Sequence, residues 1–115
     1  MKVIIAGSRN ITHHTWVKAC IDKYHKENPI TEVVCGLARG VDTYGKEWAE
    51  ENNIPVKCFT ADWECFGKQA GFICNEEMGN YADKLLAFWN GKSHGTKHMI
   101  NFMDKLNKPV FIYYS

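Results

Sequence analysis

Five short apolar runs alternate along the chain with four stretches in which apolar residues recur at helical spacing. A short continuous apolar run is typical of a β-strand that is buried on both faces of a sheet. Strands that alternate with helices predict an α/β fold with a doubly wound parallel sheet of five strands and helices on both faces. The predicted strands are residues 3–6, 32–35, 55–59, 84–89 and 109–113, and the predicted helices lie around 16–24, 41–49, 71–81 and 99–106.

Length and composition limit the classes of protein to consider. The chain of 115 residues fits a single domain, 1–115, and its formal net charge of +1 provides no field that would recruit nucleic acid or a membrane surface. Five cysteines without a C-x-x-C pair argue against a disulfide framework and favour a reducing compartment. The first apolar run is too short for a signal peptide, and no run approaches the length of a membrane span. We therefore expect a cytoplasmic protein.

The turn 90–96, Asn-Gly-Lys-Ser-His-Gly-Thr, connects the fourth predicted strand to the fourth predicted helix. Free backbone N–H groups and the positive end of the helix dipole attract anions at a helix N-terminus. Glycine lets a phosphate approach the backbone closely, and lysine, serine and threonine side chains add donors. A tight strand-to-helix connection would also explain the glycines, but we favour phosphate binding. The loop residues expected at the ligand are Gly91, Lys92, Ser93, His94, Gly95 and Thr96.

Two further turns carry glycines and hydrogen-bond donors directly after predicted strands. In open parallel sheets, ligands bind beyond the carboxyl ends of the strands, where the strand order reverses. We expect the strand order 3-2-1-4-5, which puts this reversal between the first and fourth strands, with the second strand beside them. The turns 7–10 and 36–42 would then face the turn 90–96. The ligand-binding residues expected in them are Gly7, Ser8, Arg9, Gly36, Arg39, Gly40 and Asp42.

The three turns and the residues between them resemble the SLOG superfamily, a Rossmann-like group, and are most similar to its small proteins related to YspA and YpsA. The resemblance covers nearly the whole chain, and it is carried by residues 6–9, 36–42, 61–63, 67–68, 70–71, 75, 78 and 88–96. It implies a Rossmann-like domain that binds a nucleotide-type ligand at the strand ends. LOG members of the superfamily are phosphoribohydrolases, which cleave the base from a nucleoside 5′-monophosphate, and the related DprA proteins bind single-stranded DNA.

The sequence departs from the LOG pattern where that pattern carries the chemistry. The turn 90–96 is similar to the Pro-Gly-Gly-x-Gly-Thr phosphate loop of LOG proteins but lacks the proline. Cys74 precedes Asn75 where relatives carry arginine, and no acid follows Thr96 before Asp104, although LOG enzymes place a glutamate just after the loop. The resemblance therefore implies a phosphate-binding loop and leaves catalysis open.

Several other candidates have a plain structural alternative. Asp42 can accept hydrogen bonds from ribose hydroxyls, or it can pair with Arg39 at a helix start. Glu76 and Asp42 are the carboxylates to test as a general acid or base, although most carboxylates on a helix surface are simply solvated. Residues 60–70 are predicted to form a loop, in which Trp63 can stack on a base or lie at a subunit contact. The remaining ligand-binding candidates are Asp62, Trp63, Lys68 and Asn75.

Histidines and cysteines do not form a metal-binding pattern in this sequence. His94 and His98 lie one helical turn apart without a third ligand, so we expect no metal and no other cofactor. Cys35 and Cys74 fall near the predicted site and can act as nucleophiles, but a buried cysteine that behaves as a small apolar residue is the commoner case.

The preferred function is binding of a phosphorylated nucleotide, or of a small molecule derived from one, for sensing or sequestering. The alternative is a phosphoribohydrolase that hydrolyses the N-glycosidic bond of a nucleoside 5′-monophosphate. Binding of single-stranded nucleic acid is the weaker alternative, because the chain carries no basic stripe. Aromatic residues at 63, 66 and 72 predict a subunit contact and hence a homo-oligomer.

Overall fold

The computed structural model describes residues 1–36, 40–61 and 63–114. Within these ranges the chain forms a parallel sheet of five strands in the order β3-β2-β1-β4-β5, which confirms the predicted fold and strand order. The strands are β1 (Lys2–Gly7), β2 (Glu32–Gly36), β3 (Val56–Phe59), β4 (Lys84–Trp89) and β5 (Val110–Tyr114). The helices are α1 (His14–Glu27), α2 (Val41–Glu51), α3 (Trp63–Phe66), α4 (Ala70–Tyr81) and α5 (His94–Lys105).

Alternation along the central strands divides the core into two layers, one on each face of the sheet. Val3 and Ile5 of β1 pack in the layer that contains the buried residues of α1 and α2. Ile4, between them, packs in the layer under α4 and α5. Both faces of β1 and β4 are therefore covered, which explains why these strands read as continuous apolar runs in the sequence.

The edge strand β5 is less covered than the centre of the sheet. Phe111, Ile112 and Tyr114 are exposed, although their run of apolar residues resembles that of a buried strand. A strand at the edge has a neighbour on one side only, and here that neighbour is β4.

The prediction of a loop over residues 60–70 is wrong for much of that segment. The four-residue helix α3 is followed by a 3₁₀ turn over Gly67–Gln69, which leads directly into α4. A single helical turn is too short to show a repeating apolar pattern, so sequence periodicity did not reveal it. Gly67 has a φ of +55°, and this left-handed residue separates α3 from α4.

None of the helices in the described ranges combines the length and the apolar character that crossing a bilayer requires.

Candidate ligand-binding site

A cavity of about 400 Å³ opens at the carboxyl ends of β1, β2 and β3 and extends between α4 and α5. Its position agrees with the predicted reversal of strand order between β1 and β4. Eight of the residues predicted from the sequence line it. They are Gly7, Arg9, Gly36, Asp42, Asn75, Ser93, Gly95 and Thr96.

Other predicted residues lie near the cavity without lining it. Of the described residues, Ser8, Gly40, Gly91, Lys92, His94 and Glu76 are absent from the wall. Arg39 and Asp62 lie outside the described residues, and so do the side chains of Trp63 and Lys68.

Gly7 and Ser8 form the junction between the two central strands. Gly7 is the register partner of Phe88, and a methyl group in place of its hydrogen would overlap the Phe88 carbonyl oxygen and the Val41 side chain. Ser8 is only 1% exposed, and its backbone N–H donates to the Phe88 carbonyl at 2.9 Å. Its hydroxyl accepts a hydrogen bond of 3.2 Å from the backbone N–H of Asn90. Ser8 therefore connects the loops after β1 and β4 rather than forming the wall of the cavity.

Asn90 organises the turn that leads into α5. Its Oδ1 accepts hydrogen bonds from the backbone N–H groups of Lys92 at 2.8 Å and Ser93 at 2.9 Å. Gly91, between Asn90 and Lys92, has a φ of +81°, a conformation that favours glycine. Asn90 was not among the residues predicted to contact the ligand, although an Asn-Gly pair after a strand is a signal for this kind of side-chain turn.

Ser93 is the N-cap of α5, and both its hydroxyl and its carbonyl oxygen make polar contacts at the helix start. Its hydroxyl lies 3.2 Å from the Thr96 hydroxyl and accepts a long hydrogen bond of 3.5 Å from the Thr96 backbone N–H. Its carbonyl oxygen accepts from the backbone N–H of Lys97 at 3.1 Å and from the Trp89 indole N–H at 3.1 Å. These contacts hold the hydroxyls of Ser93 and Thr96 together at the cavity wall.

The backbone N–H groups of His94 and Gly95 have no hydrogen-bond partner within the described ranges. They belong to the first turn of a twelve-residue helix, where the dipole is positive. A Cβ at Gly95 would meet no atom within 4 Å, so this residue faces open space, and it lines the cavity. This end of the cavity is suited to an anion.

Asp42 contributes a carboxylate from the other face of the sheet. It is the second residue of α2, is 7% exposed and lines the cavity. A Cβ at Gly36 would lie 3.0 Å from Asp42 Oδ2, so glycine at this position leaves room for the carboxylate at the end of β2. Arg9, which is exposed, adds a cationic side chain to the lining.

Asn75 connects α4 to the first turn of α5. Its Nδ2 donates to the Gly95 carbonyl oxygen at 3.1 Å and lies 3.2 Å from His98 Nδ1. His98 Nε2 in turn lies 4.0 Å from a carboxylate oxygen of the half-exposed Glu76. The two carboxylates considered from the sequence are thus in different positions, with Asp42 in the cavity wall and Glu76 beside His98.

Both cysteines near the site have a raised thiol pKa. Burial raises the pKa of the Cys74 thiol to about 11, and the carboxylates of Glu77 and Asp42 add to this effect. Burial, together with the neighbouring Cys58 thiol, raises the pKa of Cys35 to about 12. Because the thiolate is the reactive form, these values disfavour both residues as catalytic nucleophiles toward a bound ligand.

The rest of the wall is mainly apolar and was not predicted. Met78 and Met99 lie on helix faces that the sequence assigned only to the core, and Phe59 ends β3. Their spacing along the helices gave no sign that the core opens at this edge. The other lining residues are Cys74, which was considered as a nucleophile, and the unpredicted Ala6, Phe59, Thr60, Ala61, Gly71, Phe72, Met78 and Met99. The described residues contain no group of three side chains that could hold a metal ion.

Comparison with known proteins assigns the chain to a family. The model of the YspA, cpYpsA-related SLOG family, YAcAr, matches residues 1–66. The chain belongs to the YAcAr family. The matched part contributes Arg9, Gly36 and Asp42 to the cavity, while the wall formed by α4 and α5 lies beyond it.

This YAcAr-family chain is similar in sequence to a phage protein and in fold to a bacterial protein of known structure. The chain is 39% identical over 116 residues to Gene 61 protein of Mycobacterium phage D29. This match covers 95% of this chain and 93% of the phage protein. It is similar in structure to DNA processing protein A (DprA) from Streptococcus pneumoniae, with a TM-score of 0.79 and 17% sequence identity. The match covers 96% of this chain and 49% of DprA, so the chain spans about half of DprA's length. At this identity the likeness shows a common fold.

Proposed function

We propose that this YAcAr-family chain binds a phosphorylated nucleotide, or a small molecule derived from one, at the carboxyl edge of its sheet, and that it senses or sequesters this ligand. The observation that carries the proposal is the first turn of α5, where the N–H groups of His94 and Gly95 are unpaired in the described ranges and Gly95 lines the cavity. Two adjacent amides at the positive end of a helix form a favourable environment for a phosphate.

Side-chain donors support a phosphate at the same place. The hydroxyls of Ser93 and Thr96 lie 3.2 Å apart at the cavity wall and can turn toward phosphate oxygens. Arg9 supplies a fixed positive charge, and a guanidinium can bind a phosphate with two hydrogen bonds. In a chain with a net charge of +1, these local groups rather than the overall charge would attract the anion.

The rest of the cavity suits the nucleoside part of such a ligand. The Asp42 carboxylate accepts hydrogen bonds only, which fits the hydroxyl groups of a ribose. Met78, Met99 and Phe72 offer apolar surface for a planar base. A volume of about 400 Å³ lies within the range of small-molecule sites in proteins.

Calorimetric titration against a panel of nucleotides tests the proposal. The panel contains AMP, ADP, ATP, NAD and ribose 5-phosphate, with adenosine as the ligand that lacks phosphate. We expect at least one phosphorylated compound to bind and adenosine to bind at least about tenfold more weakly than AMP, a difference of about 1.4 kcal/mol. Failure of every phosphorylated compound to bind would contradict the proposal.

Gly95→Asp separates loss of the phosphate site from loss of the fold. The new Cβ meets no atom within 4 Å, and an acid in the first turn stabilises a helix, so this variant is expected to be at least as stable as the wild type. Its carboxylate would occupy the anion position and abolish binding. Asn101→Asp adds the same charge at an exposed position farther along α5 and is expected to bind like the wild type. Equal binding by Gly95→Asp and the wild type would overturn the assignment of the phosphate to α5.

Hydrolysis of the N-glycosidic bond is a second candidate function, and Asp42 is the observation that favours it. A carboxylate in the cavity wall can stabilise the positive charge that develops on ribose as the base departs. Chromatography of AMP incubated with the protein would detect free adenine, and Asp42→Asn should reduce its release to the rate in buffer. Release no faster than in buffer by the wild-type protein would exclude this activity toward AMP.

A further inference from the structure

Two cysteine side chains are neighbours on adjacent strands just below the cavity. Cys35 of β2 and Cys58 of β3 are register partners in the parallel ladder, and their Sγ atoms lie 3.8 Å apart. Adjacent strands are separated by about 4.8 Å, which falls within the Cα separations found in disulfides, about 4.4–6.8 Å. The sulfurs can therefore approach bonding distance, about 2.05 Å, through side-chain rotation with little movement of the backbone.

The two thiols differ in their access to solvent. Cys58 is exposed, whereas Cys35 is 1% exposed and lies beneath it. A peroxide in solution therefore reaches Cys58 first. Burial also raises the pKa of Cys35 to about 12, so little of its reactive thiolate is present at neutral pH. An exposed thiol with a buried thiol in contact is the arrangement needed for one cysteine to react and the other to resolve the product.

We propose that Cys35 and Cys58 form a reversible intramolecular disulfide when the protein is exposed to a peroxide. The Cys58 thiolate attacks one oxygen of hydrogen peroxide, which forms an S–O bond, breaks the O–O bond and releases hydroxide that is protonated to water. Cys58 is thereby oxidised to a sulfenic acid. The Cys35 sulfur then attacks the Cys58 sulfur, so that an S–S bond forms and the S–O bond breaks. The departing hydroxide takes the Cys35 proton and leaves as a second water.

The disulfide would change the edge of the cavity, because each cysteine precedes a residue of its wall. Gly36 follows Cys35, and Phe59 follows Cys58. Formation of the S–S bond is expected to change the rotamers of both cysteines and with them the surroundings of the amides that follow. This change is measurable in the protein alone as shifts of the Gly36 and Phe59 amide signals, which dithiothreitol should reverse.

Peptide mapping after oxidation tests the proposal. Reduced protein is treated with hydrogen peroxide, remaining thiols are blocked with N-ethylmaleimide, and tryptic peptides are analysed by mass spectrometry. Tryptic cleavage leaves Cys58 and Cys65 in one peptide, residues 58–68, so the measurement uses Cys65→Ser, which removes the other exposed thiol of that peptide. We expect a Cys35–Cys58 cross-link that disappears on reduction. Its absence under conditions that oxidise Cys58 would overturn the proposal.

Two variants test the order of the steps. In Cys35→Ala the resolving thiol is missing, so Cys58 should accumulate as a sulfenic acid that dimedone labels, whereas the wild type should show little labelling at Cys58. In Cys58→Ser, which changes an exposed side chain, Cys35 should remain reduced at the same peroxide concentration. Equal dimedone labelling of Cys58 in the wild type and in Cys35→Ala would contradict the role of Cys35.

Discussion

The backbone N–H of Asn90 donates a hydrogen bond of 3.2 Å to the hydroxyl of Ser8, across the point where the strand order reverses. Ser8 follows β1, and Asn90 follows β4 and begins the turn into α5. The buried hydroxyl thus holds the start of this turn, and Asn90 in turn organises the amides of Lys92 and Ser93. Through this hydrogen bond Ser8 helps to position the start of α5 at the candidate site.

Ser8→Ala should lower the free energy of unfolding. The substitution removes the acceptor of the Asn90 amide at a position that water reaches poorly, and an unsatisfied buried donor costs about 1–3 kcal/mol. Urea denaturation followed by circular dichroism would measure the loss. Thr12→Ala, at an exposed position a few residues along, is the matched control and should change stability by no more than about 0.5 kcal/mol. Equal effects of the two variants would argue against the positioning role.

Asn90→Asp and Asn90→Ala should differ in stability. Aspartate retains an oxygen that can accept from the amides of Lys92 and Ser93, whereas alanine leaves both amides without this acceptor. We expect Asn90→Asp to stay close to the wild type and Asn90→Ala to lose about 1–2 kcal/mol. The measurement is again urea denaturation at neutral pH. If the two variants were equally unstable, the side-chain acceptor would not be what holds the turn.

The ionisation of Cys74 should make the free energy of unfolding fall as the pH rises above 9. Its pKa of about 11 in the folded protein lies above the ordinary value of 9.0, mainly because of burial. A raised pKa means that the stabilising contribution of the protonated thiol is fully present below pH 9 and is lost as pH rises toward 11. The wild type should therefore lose stability more steeply than Cys74→Ala between pH 9 and 11 in urea titrations. Parallel pH profiles for the two proteins would contradict this.

Modification with a thiol reagent provides an independent check on the same pKa shift. In native protein at pH 8, the exposed Cys58 and Cys65 should react before Cys74 and Cys35. The reaction of Cys74 should accelerate as the pH approaches 11. Rapid reaction of Cys74 at pH 8 would show that its thiol is more accessible or more acidic than its burial indicates.

The sequence predicted the strands and helices because short apolar runs and helical spacing are local signals. Their alternation along the chain favours a doubly wound parallel sheet, from which the strand order was expected. It also identified the glycine turns, since glycine and the residues beside it are selected by the backbone conformation of a turn. What it did not reveal were properties that depend on tertiary packing. The ligand contact predicted for Ser8 stays a prediction, and the sequence did not reveal that its buried hydroxyl accepts from the Asn90 amide.

Two further features of the molecule also depend on tertiary packing, which the sequence pattern does not show. Met78 and Met99 occupy core positions on their helices, and only the assembled sheet edge makes them part of a cavity. The predicted subunit contact stays a prediction, supported by the exposed side chains of Phe66 at 49% and Phe72 at 44%. Periodicity cannot distinguish such exposed aromatics from core residues, because it reports a helix face and not what covers that face.

Titration of ¹⁵N-labelled protein with AMP, followed through the amide signals of α5, shows whether the phosphate lies at the start of that helix. We expect saturable shifts that are largest at His94 and Gly95, whose N–H groups are unpaired in the described ranges, and smaller at Asn101. Inorganic phosphate should shift the same two amides, and Gly95→Asp should suppress the response at position 94. Saturable binding of AMP that leaves the His94 and Gly95 amides unchanged would contradict the claim that the N-terminus of α5 holds the phosphate.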